Sequence, residues 1–215
     1  IGRFVELYDE LGKDSSEIIS IHLMNSISGT VNAARQAADI TESTVTVVDS
    51  DFTSRSMGII VREAAKAAQE GKSAAEVLEV IESTRQRTKL YLTVLNLDNL
   101  IKGGRISRVM GAFSNLLNIK LFLEVINGKI EIVQKGRGLK SLQKKYDEVF
   151  EEMKACPNGI EEIGIMHAGL NEFNQSQIDT LRELFPDAKL TIVMTSPIIM
   201  SHTGVDAMAV TYLEK

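Results

Sequence analysis

The sequence predicts an α/β protein of two domains. The first is a parallel-sheet, Rossmann-like α/β domain over residues 1–96, and the second is an α+β domain with a mixed or antiparallel sheet over 97–215. Three observations predict it. Through Leu95 the periodicities run α-β-α-β-α-α-β, the grammar of a parallel sheet covered by helices. Asn127-Gly128, between the apolar runs Ile119–Ile126 and Lys129–Gln134, is the strongest short signal for a β-hairpin. Further α/β units follow that hairpin, so the second half mixes antiparallel and crossover connections.

Ile1, Phe4, Val5, Tyr8 and Leu11 fall at helical spacing, so the chain opens inside an amphipathic helix. With nothing ahead of that helix to cap it, the chain is expected to begin partway through a larger protein. Ile18–Leu23 is a short apolar run fit for a buried strand, and an Ala-rich helix after Ser28-Gly29-Thr30 reaches about Ile40. Thr44–Val48 is the next strand. A helix over Ser54–Glu70 stops at Gly71, and Ser73 with Glu76 forms a capping box for a helix to about Arg87. Leu90–Leu95 reads as a strand and Leu97–Ile101 as a helical turn. Beyond the hairpin come a helix (Lys140–Lys154), a strand (Ile163–His167), a helix (Gln175–Leu184) and strands at Leu190–Met194 and Ala207–Leu213.

Composition narrows the function. The 215 residues are 44% hydrophobic and 25% charged, an ordinary globular balance. A net charge of -5 speaks against a nucleic-acid binder, which would show a basic patch. No apolar run approaches the ~18 residues that span a bilayer, and no signal peptide is visible. The lone Cys156 cannot form an internal disulfide, in keeping with a cytoplasmic location. No metal-ligand cluster or Cys-x-x-Cys pair is present, so no cofactor is expected. With 5% aromatic residues and no Trp, a stacking site for a nucleobase is not expected either.

Three short stretches carry candidate chemistry. Lys102-Gly103-Gly104-Arg105 puts two glycines between two cations; glycine lets a backbone approach a bound group, and arginine offers a planar donor fork for a carboxylate or phosphate. It reads equally as a helix C-cap. Ser28-Gly29-Thr30 lies between a strand and a helix, where a helix N-terminus attracts anions, although Ser and Thr also serve as plain N-caps. Ser28 as a nucleophile lacks the Gly-x-Ser-x-Gly elbow. Ser201-His202-Thr203-Gly204 offers a polar head-group contact or a turn histidine.

Taken in order, these stretches resemble the DegV family. The family pattern includes a Leu-Ser-Gly-Thr block, a Val-x-Asp-Ser block and a Lys-Gly-Gly-Arg-Ile block. The matching pieces are Ile27-Ser28-Gly29-Thr30, Val48-Asp49-Ser50, Leu97 through Ile106, Leu116-Leu117-Asn118-Ile119-Lys120 and His202-Thr203-Gly204. The chain departs from the pattern at Met24-Asn25, where two serines are usual, at Leu121 in place of a proline, and at Val205-Asp206, where Asp206 adds a negative charge. Family members also begin with a further strand and a Thr-Ser-x-Pro-Ser-like turn, which would lie before Ile1.

The resemblance implies a bacterial fatty-acid carrier without activity of its own. Its ligand is a long-chain fatty acid, held with the tail buried and the carboxylate at the domain interface. The carrier presents that carboxylate to a separate fatty acid kinase for phosphorylation. Ser28, Gly29, Thr30, Arg105, His202 and Thr203 would surround the carboxylate. Ile119, Leu121, Phe122, Leu123, Ile165, Ile198 and Ile199 are the candidate tail-lining residues, each of which also reads as plain core. Lys102, Arg105 and Arg108 form a cationic cluster that suits an acidic partner or a solvated face. The rival reading is a serine-dependent acyl- or phosphoryl-transfer enzyme, with Ser28 as nucleophile, His202 as base, and Asp206 or Asp49 as orienting group.

Overall fold

The computed structural model describes residues 1–105 and 118–215. The chain divides into two units: the first comprises Ile1–Gln86 with Asn127–Lys129, the second Arg87–Ile126 with Ile130–Lys215. Ile106, Arg108, Leu116 and Leu117, all singled out from the sequence, lie outside the described residues.

In the first unit α1 (Gly2–Leu11) precedes β1 (Ile18–His22), α2 (Thr30–Ala38), β2 (Val45–Asp49), α3 (Ser54–Gln69) and α4 (Ala74–Arg87). β1 and β2 pair in parallel from Ile18↔Val45 to His22↔Asp49, with α2 as the crossover. The small buried residues Ala34 and Ala37, with Val31, let α2 approach the strands closely. Tyr8 of α1 is buried, and its hydroxyl shares a 2.8 Å hydrogen bond with Ser20 Oγ, which in turn shares one of 2.8 Å with His22 Nε2. Phe4 meets the His22 ring edge-on at 5.3 Å. The expected capping box is present: Ser73 N–H and Oγ–H both donate to Glu76 Oε2, at 2.8 and 2.7 Å, and Glu76 N–H donates back to Ser73 Oγ at 3.4 Å.

The second unit is built on a six-stranded mixed sheet in the order β5-β4-β3-β8-β6-β7. Its strands are β3 (Thr88–Val94), β4 (Lys120–Ile126), β5 (Lys129–Gly136), β6 (Ile160–His167), β7 (Lys189–Met194) and β8 (Met208–Glu214). Its helices are α5 (Asp98–Lys102), α6 (Leu139–Lys154), α7 (Glu172–Leu184) and α8 (Pro197–Thr203). The hairpin forms where expected: Asn127 and Gly128 both take positive φ, 49° and 69°, as a type I′ turn demands. β3 runs antiparallel to both β4 and β8 in the second unit. Local periodicity shows that a strand exists but carries no information about partners far along the chain.

Alternation along the strands gives this sheet two different faces. Tyr91, Phe122, Ile163, Ile165, Met208, Val210 and Tyr212 pack with Tyr146, Val149 and Phe150 of α6 and with Ile178 and Leu181 of α7. The Phe122 and Tyr146 rings meet edge-on at 4.9 Å. Buried hydroxyls find partners: Tyr146 Oη shares a 3.2 Å bond with Thr93 Oγ1, and the Tyr91 and Tyr212 hydroxyls donate to Glu152 Oε1 at 2.8 and 2.7 Å. The other cluster is wholly aliphatic: Val94, Leu97, Leu100, Leu121 and Leu123, flanked by half-buried Leu92, Ile119, Ile130 and Ile132. Phe122→Ala is expected to lower the unfolding free energy by about 3–5 kcal/mol, read from the urea midpoint; a loss under about 1 kcal/mol would show that the ring is not a core anchor.

Candidate functional site

Within the second unit the Lys102–Arg105 stretch ends α5 in a Schellman motif. Gly104 N–H donates to Ile101 O at 3.0 Å and Arg105 N–H to Leu100 O at 3.1 Å, with Gly104 at φ +67°. The left-handed turn accounts for Gly104 alone. Gly103 has an ordinary φ of -77° and is small for another reason. A Cβ there would run into the His202 imidazole at Nδ1 and lie 3.0 Å from Asn99 O. The two adjacent glycines thus serve different ends, one for the turn and one for the ring. Arg105 is half-buried and donates from Nη1 to Gly103 O at 2.8 Å. It has no acidic partner among the described residues.

His202, which the sequence offered as a head-group contact or a turn histidine, sits in the last turn of α8. Pro197 is the first residue of that helix, where its missing N–H is harmless. Asn99 Nδ2 donates to Ser201 O at 3.0 Å and ties α5 to α8; sequence reasoning missed it, since nothing local marks the residue. His202 Nδ1 is buried without a hydrogen-bond partner among the described residues. Burial first, and the Arg105 guanidinium second, push the imidazole pKa below its ordinary value, so the ring is neutral at pH 7. Thr203 is buried and spends its hydroxyl on Ile199 O at 3.1 Å, so it supports the helix end. The structure therefore brings Arg105, His202 and Gly103 together in one unit.

Ser28, Gly29 and Thr30 lie in the first unit, after the carboxyl end of β1. Ser28 Oγ shares a 2.9 Å bond with Thr30 Oγ1 and accepts the Thr30 N–H at 3.3 Å. Gly29 occupies the N-cap of α2, with no side-chain cap and no acidic residue in the first turn, so the positive end of the helix dipole is uncompensated there. The acid–base reading of Ser28 and His202 finds little support. A catalytic histidine needs an orienting carboxylate, whereas the charged neighbour of His202 is Arg105, which lowers its basicity. Of the two proposed orienters, Asp49 accepts the N–H groups of Asn25 and Asp51, both at 3.0 Å. Asp206 directs its carboxylate to Gly169, where a Cβ would lie 2.9 Å from Oδ1.

The candidate tail-lining residues do not share one surface. Leu121 and Leu123, with Ile119 beside them, belong to the aliphatic cluster. Phe122 and Ile165 belong to the aromatic core on the other face. Ile198 is 66% exposed, and Ile199 is half-buried on α8. The run Leu121-Phe122-Leu123 read as one apolar block because its members are adjacent, but a strand sends neighbours to opposite faces. Leu92, Val94, Leu97, Leu100, Ile130 and Ile132 complete the aliphatic cluster. Alternation at i, i+2 on β3 and β5 marks four of them, and Leu97 and Leu100 lie at i, i+3 about α5.

A family described as an uncharacterised protein family, DegV, matches residues 1–215. The chain belongs to the DegV family. A DegV domain-containing protein of Streptococcus pneumoniae is 39% identical over 210 residues, covering 98% of this chain and 74% of its own length. The crystal structure of DegV from Bacillus subtilis, described as a fatty acid binding protein, covers 100% of this chain and 76% of its own at 26% identity and a TM-score of 0.85. A fatty acid binding DegV family protein from Streptococcus agalactiae covers 100% and 76% at 25% identity and a TM-score of 0.86. The two-domain α/β class expected from the sequence is the fold of these DegV proteins.

Two tests follow from the glycines and the histidines. Gly104→Ala meets no neighbouring atom and should cost only the left-handed strain, about 1 kcal/mol, leaving the His202 NMR signals in place. Gly103→Ala should displace the ring and move those signals; unchanged signals would refute the close approach. His22, like His202, has its pKa lowered chiefly by burial. The unfolded chain protonates such a group first, so this contribution to stability is intact above the ordinary value of 6.5 and is lost as pH falls below it. Denaturant midpoints at pH 7.5 and 5.5 (roughly one unit either side of the ordinary histidine value) should differ less in His202→Gln than in the native protein.

Proposed function

We propose that this protein binds a long-chain fatty acid and presents its carboxylate to a separate fatty acid kinase, taking no part in the chemistry itself. The observation that carries the reading is the end of α5. There a guanidinium with no acidic partner among the described residues, and an imidazole nitrogen with none, adjoin a cluster of purely aliphatic side chains. An anion on a hydrocarbon chain satisfies all three. At ~0.8 kcal/mol per methylene, a sixteen-carbon tail supplies roughly 10 kcal/mol before ordering costs, so affinity comes from the tail. The head needs partners because a desolvated carboxylate without them is expensive.

The reading assigns the tail to the Leu121–Leu123–Val94–Leu97–Leu100 face and leaves Phe122 and Ile165 as core. It assigns the carboxylate to Arg105 and His202 and keeps Ser28, Gly29 and Thr30 of the first unit as further head-group candidates. Thr203 is reassigned to supporting His202. The separate kinase enters this proposal as the partner that the resemblance to the DegV family implies. The B. subtilis and S. agalactiae relatives, described as fatty acid binding, support the ligand class.

Denaturing mass spectrometry of the purified protein should release a fatty acid. Arg105→Ala should weaken palmitate binding by roughly 10- to 100-fold, the worth of one charge-assisted hydrogen bond, in a calorimetric titration. A protein that comes off empty and gains no thermal stability from palmitate or oleate refutes the proposal.

A further inference from the structure

Val48-Asp49-Ser50 stands out in the sequence, yet the fatty-acid reading gives it nothing to do. The structure assigns Asp49 as a positioning residue for the Ser28–Thr30 turn; this rests on that reading for its consequence, though not for its geometry. Asp49 closes β2, and its two carboxylate oxygens hold two different loops. Oδ2 accepts the Asn25 N–H at 3.0 Å from the β1–α2 loop, and Oδ1 accepts the Asp51 N–H at 3.0 Å from the β2–α3 loop. The second bond stabilises a residue at φ +60°, a conformation Asp tolerates when its amide is engaged locally.

From Asn25 the hold passes to the turn by short steps. Asn25 Oδ1 accepts from Asn32 Nδ2 at 2.8 Å, which fastens the loop to the first turn of α2. The Ile27 N–H donates to Met24 O at 3.3 Å, and the Met24 N–H to Phe52 O at 2.8 Å. Between these anchors the chain has only Ser28 and Gly29 left before Thr30, and the Ser28–Thr30 bonds complete the loop. Arg85 braces the far side, donating from Nη1 to Asp49 O at 3.4 Å and pairing with Asp51 Oδ2 at 3.1 Å.

An anionic clamp on backbone amides differs from ordinary packing in one respect: its loss should be felt by the head of the ligand and not by the tail. Asp49→Asn keeps the shape and removes the charge. Amide hydrogen exchange on the full chain without ligand should show protection at Asn25 and Thr30 falling about tenfold, with β1 and β2 unchanged. Unaltered protection at Asn25 overturns the assignment whether or not the protein binds a fatty acid. With ligand, Asp49→Asn should weaken palmitate about tenfold and methyl palmitate hardly at all. In a Ser28→Ala, Thr30→Val background the same change should add no further loss. Equal weakening of acid and ester, or a full additional loss in that background, overturns the assignment. A native protein that ignores palmitate refutes the fatty-acid reading instead.

Discussion

Side-chain alternation along β3 and β4 divides the larger unit into two chemically different halves, and the rest of that unit depends on the division. On one face, Tyr91, Thr93 and Phe122 meet the aromatic side of α6, and each buried hydroxyl needs a partner. Glu152 takes two phenols and Thr93 one. Burial pushes the Tyr91, Tyr146 and Tyr212 phenols far above their ordinary pKa, so these groups are fixed as neutral donors. A face so closely paired cannot admit a hydrocarbon without breaking hydrogen bonds. On the opposite face Leu92, Val94, Leu121 and Leu123 gather with other aliphatic side chains into one cluster. It can exchange one aliphatic neighbour for another at little expense.

The end of α5 shows why motif readings that looked like rivals are compatible. As a C-cap, Lys102–Arg105 needs one left-handed residue, and Gly104 supplies it. As a ligand site it needs a backbone that another group can approach, and Gly103 supplies that for His202. The imidazole then lies beside the guanidinium, which together with burial keeps it uncharged. A neutral histidine next to an arginine can exchange hydrogen bonds with a head group without adding a second buried charge.

Sequence periodicity was enough for the elements and fell short on their partners. The Asn127-Gly128 hairpin, the Ser73/Glu76 box and most helices and strands were legible because each rests on residues a few positions apart. The sheet to which β3 belongs was not, since its pairings with β4 and β8 span up to more than a hundred residues. α8 was not legible, because it is short and a proline marks a break as readily as a first helical residue. At the site, Arg105 and His202 were legible as residue types. Asn99 and the role of Asp49 were not, because each acts through a hydrogen bond to a backbone group distant in sequence.

Arg85, in the last turn of α4, and Arg105, just after α5, are both half-buried and are complemented differently. Arg85 is complemented within its own unit, by the Asp49 carbonyl, Asp51 and Glu82, and its charge is spent on holding loops. Arg105 is also half-buried, yet among the described residues it donates to the carbonyl of Gly103, two residues away. A carbonyl is a weak counterpart for a guanidinium, and partial burial strips water that would otherwise solvate it. Folding tends to place an acid beside such a group, as it does at Arg85. At Arg105, among the described residues, it places an imidazole nitrogen without a partner and an aliphatic wall instead, and the ligand proposed above, an anion with a long apolar tail, would complement all three.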